Sequence, residues 1–259
     1  FNEGNITVTA TVTDAAGNVS GTASKVITKD TIAPAQAVIT GFSPDSGVLG
    51  DKITNQTSIT LTGTAEANST VTIYADGVQS GTTVTNGSGN WSYAFSATEH
   101  TYTFTAKATD VAGNAGPISN GYSVTVDTTA PTIAIGATLM GDNIINAAEQ
   151  SSVTFSGTVD HGVTPAVSDV GDTVTIVYSD GTNRGTTTAT VDSSYNWASG
   201  SQDLTGFSDG NITVTATVTD AAGNVSSTAS KVITKDTIAP AKAVITGFSP
   251  DSGVLGDKI

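Results

Sequence analysis

Carboxylates carry most of the chemical capacity in this 259-residue chain: 23 Asp and Glu against nine Lys and Arg, for a formal net charge of −14. Several recur in fixed settings. Asp14, Asp110 and Asp220 each stand second in a Thr-Asp-x-Ala-Gly-Asn string, and Asp30, Asp127 and Asp236 each open an Asp-Thr-x-Ala-Pro string 16 or 17 residues later. Carboxylates gathered without a cation repel by about 1 kcal/mol or more per close pair. Calcium, which takes roughly six to eight oxygen ligands in irregular geometry, suits such a gathering better than magnesium with its tight octahedron. Other chemistries are poorly supplied. No Cys is present, which removes disulfides, thiolate metal sites and thiol nucleophiles. His100 and His161 are the only histidines, no Ser-His-Asp set can be assembled around them, and paired carboxylates for glycoside hydrolysis would need a cleft. The expectation is a protein that is not an enzyme. Nucleic acid is excluded as a partner because phosphate binding needs Lys and Arg clusters. No window approaches 18 consecutive apolar residues, so no membrane-inserting helix is expected in this segment.

An internal repeat organises the chain. Residues 1–53 reappear as residues 207–259 with mismatches at positions 2, 3, 21 and 36 only, which reads as a recent duplication. A weaker period lies inside it, since the linker Asp residues are 97 and then 109 positions apart. The chain divides into the C-terminal part of a type B repeat (1–30), a complete type A repeat (31–127), a complete type B repeat (128–236) and the N-terminal part of a further type A repeat (237–259). Both ends fall inside repeats, so the sequence is expected to be an excerpt of a longer array.

The elements that position the carboxylates are strands. Ile6, Val8, Ala10 and Val12 interleave with Thr7, Thr9, Thr11 and Thr13, the period-2 signature of a strand with one buried face and one hydroxyl-bearing face. Type A parses into strands near 36–42, 57–64, 70–75, 78–85, 90–96, 101–109 and 119–126, separated by turns such as Asp76-Gly77 and Asn86-Gly87. Type B parses similarly. About 100 residues with seven short strands is the pattern of an immunoglobulin-like sandwich. The expected fold is therefore all-β: tandem seven-stranded antiparallel immunoglobulin-like sandwiches joined end to end. Trp91 and Trp197 are expected to pack in the cores.

The Asp-Thr-x-Ala-Pro linkers, the Thr-Asp-x-Ala-Gly-Asn turns and the tandem units of about 100 residues together resemble the bacterial Ig-like repeats of giant type I-secreted adhesins, the biofilm and host-adhesion proteins of Gram-negative surfaces. That resemblance implies an extended fibre outside the cell, at the bacterial cell surface, with calcium ions stiffening the junctions. It implies no ligand for these particular units. In a sandwich the loops alternate between the two ends, and the acidic residues fall in loops, turns and strand termini. The candidate metal ligands are Asp30, Asp110, Asp127, Asp220, Asp236, Asp14, Asp142, Asp209 and Asp172. Asp30 is expected to share an ion with Asp110, and Asp127 with Asp220. Beside this stands a plainer reading, that Asp collects in loops because it favours turns and is disfavoured in strands. The expected partners are neighbouring repeats of the same chain, other copies of the adhesin or surface polysaccharide. Two functions remain: a structural extender that projects an adhesive tip, or a carbohydrate-binding module of an extracellular polysaccharide-active protein. A sugar site would need coplanar exposed aromatics, whereas Trp91, Tyr93 and Phe95 follow the inward phase of their strand. Near-identical repetition also favours reach over recognition.

Overall fold

Alternating apolar and hydroxyl residues become strands throughout this computed structural model, which describes residues 1–160 and 168–246. Among the described residues there is no helix. His161 and most of the expected 237–259 fragment lie outside them. The chain packs as two compact units. The first comprises Phe1–Thr132 with Val159–Asp172 and Val218–Ser227; the second comprises Ile133–Thr158, Thr173–Thr217 and Thr228–Ile259.

The first unit begins with a hairpin, β1 (Gly4–Ala10) and β2 (Ala23–Lys29), in antiparallel register from Gly4 opposite Lys29 to Ala10 opposite Ala23. A sandwich follows. One of its sheets orders β3 (Val38–Ser43), β5 (Ser58–Thr64) and β8 (Asn90–Ser96). The other orders β4 (Ile53–Thr54), β11 (Tyr122–Val126), β9 (His100–Thr109), β6 (Thr70–Ala75) and β7 (Val78–Val84), with β10 (Ala115–Ile118) also on β9. Seven of these match the strands expected from periodicity. The short β4 and β10 are additions, and β4 runs parallel to β11. After pairing antiparallel with β5, the chain crosses to the opposite sheet and runs briefly beside β11 in the same direction. Inward residues of both sheets make the core: Ile39, Ile59, Leu61, Val71, Ile73, Trp91, Phe104 and Val124 are all buried. Phe95 stands edge-on to both Tyr102 and Phe104, with ring centroids 5.0 Å apart in each case.

In the second repeat, β12 (Thr132–Ile135), β14 (Ser156–Asp160) and β17 (Asn196–Ala198) form one sheet. The other orders β13 (Ile144–Ile145), β19 (Ala229–Lys235), β18 (Gly210–Thr219), β15 (Thr173–Ser179) and β16 (Arg184–Thr190). Phe155, Ile176, Trp197, Leu204, Ile212 and Ile233 are among its buried side chains. The β18–β19 pair repeats the β1–β2 register residue for residue at an offset of 206, from Gly210 opposite Lys235 to Ala216 opposite Ala229.

Each tryptophan lies flat against a glycine of the neighbouring strand. A Cβ on Gly63 would fall 2.2 Å from Trp91 Cζ2 and 2.1 Å from the Val38 carbonyl oxygen. At Gly157 it would fall 2.6 Å from Trp197 Cζ2 and 1.9 Å from the Ala134 carbonyl oxygen. Neither carbonyl can yield without disturbing a strand pair, so the Gly63→Ala substitution should cost about 3 kcal/mol, the upper part of the overpacking range. Hydrogen exchange is the check: protection of β5 and β8 should fall accordingly, while β14 and β17 keep theirs.

Candidate metal centre

The recurring acidic turn starts where β9 ends. Asp110 faces its own following loop: one carboxylate oxygen accepts the Asn114 backbone N–H at 2.8 Å and the other accepts the Asn114 side-chain amide at 2.8 Å. Gly113, at φ +96°, lets the chain reverse tightly enough for this. Asp220 repeats the arrangement with Asn224 at 2.7 and 2.9 Å, and Asp14 repeats it with Asn18 at 2.8 and 2.9 Å. The same asparagine reaches further. Asn224 Nδ2 also donates to the backbone oxygen of Asp127 at 2.9 Å, and Asn114 Nδ2 donates to that of Asp30 at 3.2 Å. The two pairs expected to share an ion, Asp127 with Asp220 and Asp30 with Asp110, are thus each brought together by an asparagine. The final residue of the six-residue string carries this link. Its recurrence at 18, 114 and 224 was the available signal, but the reach of its amide is not visible in sequence.

Burial separates the candidates. Asp127 is 1% exposed, Asp220 4%, Asp172 7% and Asp110 7%, whereas Asp14, Asp30, Asp142, Asp209 and Asp236 are exposed. Asp169, 1% exposed, joins the buried set and shares a turn with Asp172, whose N–H donates to the Asp169 carbonyl at 3.0 Å. Asp172 immediately precedes β15 and Asp220 immediately follows β18; these strands are sheet neighbours, as the antiparallel β6 and β9 are in the first repeat. The exposed candidates have local duties. Asp142 caps the Ile144 N–H at 2.9 Å, Asp236 the Ile238 N–H at 3.1 Å, and Asp209 accepts the Thr237 hydroxyl at 2.9 Å. At the position of Asp209, the hairpin has Glu3, which binds Lys29 at 2.8 Å; that contact, with bonds from Thr31, lowers its pKa to about 2.

The first repeat replaces Asp169 and Asp172 by Glu66 and Ser69. There the turn is closed by neutral groups: Ser69 Oγ and Thr85 Oγ1 donate to the Glu66 carbonyl at 2.7 and 2.6 Å. Carboxylate oxygens such as those at 169 and 172, rather than these hydroxyls, match the chemistry of a hard cation such as calcium. Among the described residues, however, no three carboxylates or histidines converge into a ready metal cage.

Residues 32–128 match one family model described as a bacterial Ig-like domain, and residues 116–237 match a second of the same description. Solved structures similar to this chain include a 1.5-MDa bacterial ice-binding adhesin, 25% identical over 92% of this chain and 76% of that one, with a TM-score of 0.39. A calcium-stabilised adhesin of an Antarctic bacterium is 28% identical over 90% of this chain and 57% of its own, with a TM-score of 0.39. A tetra-tandem repeat from the extending region of a large adhesion protein is 23% identical over 89% of this chain and 57% of its own, with a TM-score of 0.37. No curated protein matches.

The turn geometry makes Asp110 a test of these bonds. Burial pushes its pKa up, but the hydrogen bonds from Asn114, Gly113 and Ala112 outweigh that and hold it below the ordinary 3.8. A carboxyl depressed on folding contributes stability that is complete above its unfolded pKa and is lost as pH falls through the folded value. Carboxyl-carbon NMR should therefore show Asp110 titrating below 3.8, with the turn loosening only beneath that pH. The Asn114→Ala variant should raise the midpoint.

Proposed function

Because the chain belongs to the bacterial Ig-like domain family, we propose that it serves as a structural extender in a large bacterial surface adhesin, with calcium held where one repeat follows another. The burial of Asp127, Asp169, Asp172 and Asp220 carries this reading. Buried carboxylates and backbone oxygens within one compact unit are the donor chemistry that a calcium ion takes. Asp30 and Asp110 form a second, weaker candidate pair, because Asp30 is exposed and Ser69 stands where the second repeat has Asp172. The ion's part is electrostatic, and the chain's own residues do the positioning. Asn224 fixes the linker backbone against the acidic turn, and the 169–172 turn holds two carboxylates at the same end of the repeat. Extracellular display, repeated neighbours as the main partners and a role without catalysis belong to this proposal.

The alternative, a carbohydrate-binding module, finds less support. Trp91 and Trp197 are 4% and 2% exposed and offer no ring face to a sugar. His100 is engaged with Asp76 at 3.1 Å on the surface.

Calorimetric titration of the chain with calcium, followed by thermal melting, tests the extender's metal. At a hundredfold excess over the dissociation constant, binding to the folded form alone should stabilise by about 2.7 kcal/mol. The Asp127→Ala and Asp220→Ala variants should each lose most of that gain while keeping their strands. Identical melting with calcium and with excess chelator would overturn the metal assignment.

A further inference from the structure

One contact inside the first compact unit involves no carboxylate. The loop that carries the chain from β3 to β4 lies against the acidic turn at 219–224. Val48 N–H donates to the Ala221 carbonyl at 3.0 Å, and Ser46 Oγ donates to the Ala222 carbonyl at 2.6 Å. Ser46 Oγ is itself fixed by the Asn55 N–H at 2.9 Å. Between them Gly47, at φ +66°, meets the turn backbone to backbone. A Cβ there would fall 2.0 Å from the Ala221 oxygen, 2.6 Å from the Ala222 carbonyl carbon and 2.6 Å from the Gly223 nitrogen. Gly223 answers from the other side: its own Cβ would fall 3.1 Å from Gly47 Cα. Ala222 is fully buried by the approach. Only glycine permits this contact at position 47, on both conformational and steric grounds.

The corresponding loop of the second repeat is built differently. Asp51 caps Ile53 as Asp142 caps Ile144, Lys52 and Asn143 both have φ +67°, and Gly50 and Gly141 have φ +93° and +91°. Counting back from this alignment, Thr138 stands for Gly47 and Ala137 for Ser46. The first brings a Cβ where none fits, and the second lacks the hydroxyl. Leu139 stands for Val48, but it is turned into its own core, 2% exposed against 59%, with its N–H already given to Asn143 Oδ1 at 2.8 Å.

We propose that the 44–52 loop of a type A repeat is a docking element for the Thr-Asp-Ala-Ala-Gly-Asn turn of a following type B repeat. The joint it makes is a backbone clasp that needs no metal. Joints in the reverse order lack the clasp, so an array of alternating types has joints of two kinds, one locked by backbone contact and one held by its linker and any bound ion. The purpose of the clasp rests on the extender reading; its existence rests on the hydrogen bonds and the Gly47 contact.

Spin labels on the exposed positions 79 and 186, introduced as Gln79→Cys and Thr186→Cys into a chain with no cysteine of its own, report the joint in the whole protein. In excess chelator the wild type should give a narrow distance distribution, and Gly47→Val should broaden it by about twofold, because motion is the default for linked repeats without a lock. Gly50→Ala, which carries a comparable backbone strain at φ +93° but has open space around its Cβ, should stay narrow. Ser46→Ala removes one clasp bond without backbone strain and should broaden the distribution in the same direction, even if Gly47→Val reduces sheet protection. A wild type already broad in chelator, or narrow distributions in both Gly47→Val and Ser46→Ala, would overturn the clasp. The calcium reading fails separately, through melting that is indifferent to calcium.

Discussion

A carboxylate gripping its own turn organises both repeats. Asp110 and Asp220 each bind the backbone and side chain of the asparagine four residues on, and that asparagine then holds the carbonyl of the preceding linker aspartate. Charge-assisted bonds of this kind are stronger than neutral ones, and they fix the turn whether or not an ion is bound. The linker is thereby anchored to the sheet that follows it. At 219–224 the asparagine bridge and the Gly47 contact both use this one preformed turn as their surface.

Charge placement follows from the same division of labour. Strand faces carry Thr and Ser outward and aliphatic or aromatic residues inward, while Asp and Glu sit in turns and at strand ends. Hydroxyl ladders such as Thr101 with Thr125, at 3.0 Å across β9 and β11, suit a solvated pleated face. Acidic chemistry is left to the loops, where the two repeats differ. One closes its 66–69 turn with Ser and Thr hydroxyls, and the other buries Asp169 and Asp172 at the matching place. Similar sandwiches therefore present unlike ends.

Periodicity made the strands legible because each has one buried face, and the seven main strands of the first repeat fall where alternation puts them. The two-residue β4 escaped because two residues carry no period. The hairpin at 1–30 shows what sequence leaves open. Its register equals that of 207–236, yet Val8 is 51% exposed and Ile27 49%, while their counterparts Val214 and Ile233 are 0% and 2% exposed. Local pairing is written in the chain, whereas burial depends on what else is present. At the candidate site, the aspartates of the recurring strings were visible, and in two of them the asparagine of the acidic turn reaches the backbone oxygen of the linker aspartate. The asparagine bridge and the closeness demanded of Gly47 were not, because an amide's reach and a missing Cβ acquire meaning only against a second loop.

The offset of 206 between near-identical hairpins bears on how such a chain reaches its folded state. Tandem domains of like sequence are prone to exchange strands with their neighbours while folding. Here the repeat beside each hairpin has another sequence: β9 reads His-Thr-Tyr-Thr-Phe-Thr-Ala-Lys-Ala-Thr where β18 reads Gly-Asn-Ile-Thr-Val-Thr-Ala-Thr-Val-Thr. An aromatic-rich strand and an aliphatic one fill differently shaped cores, so a strand that strays into the adjoining repeat packs badly there. The copy into which it would fit lies a whole repeat further along. In these two dissimilar repeats, interchangeable strands thus stand a whole repeat apart rather than side by side.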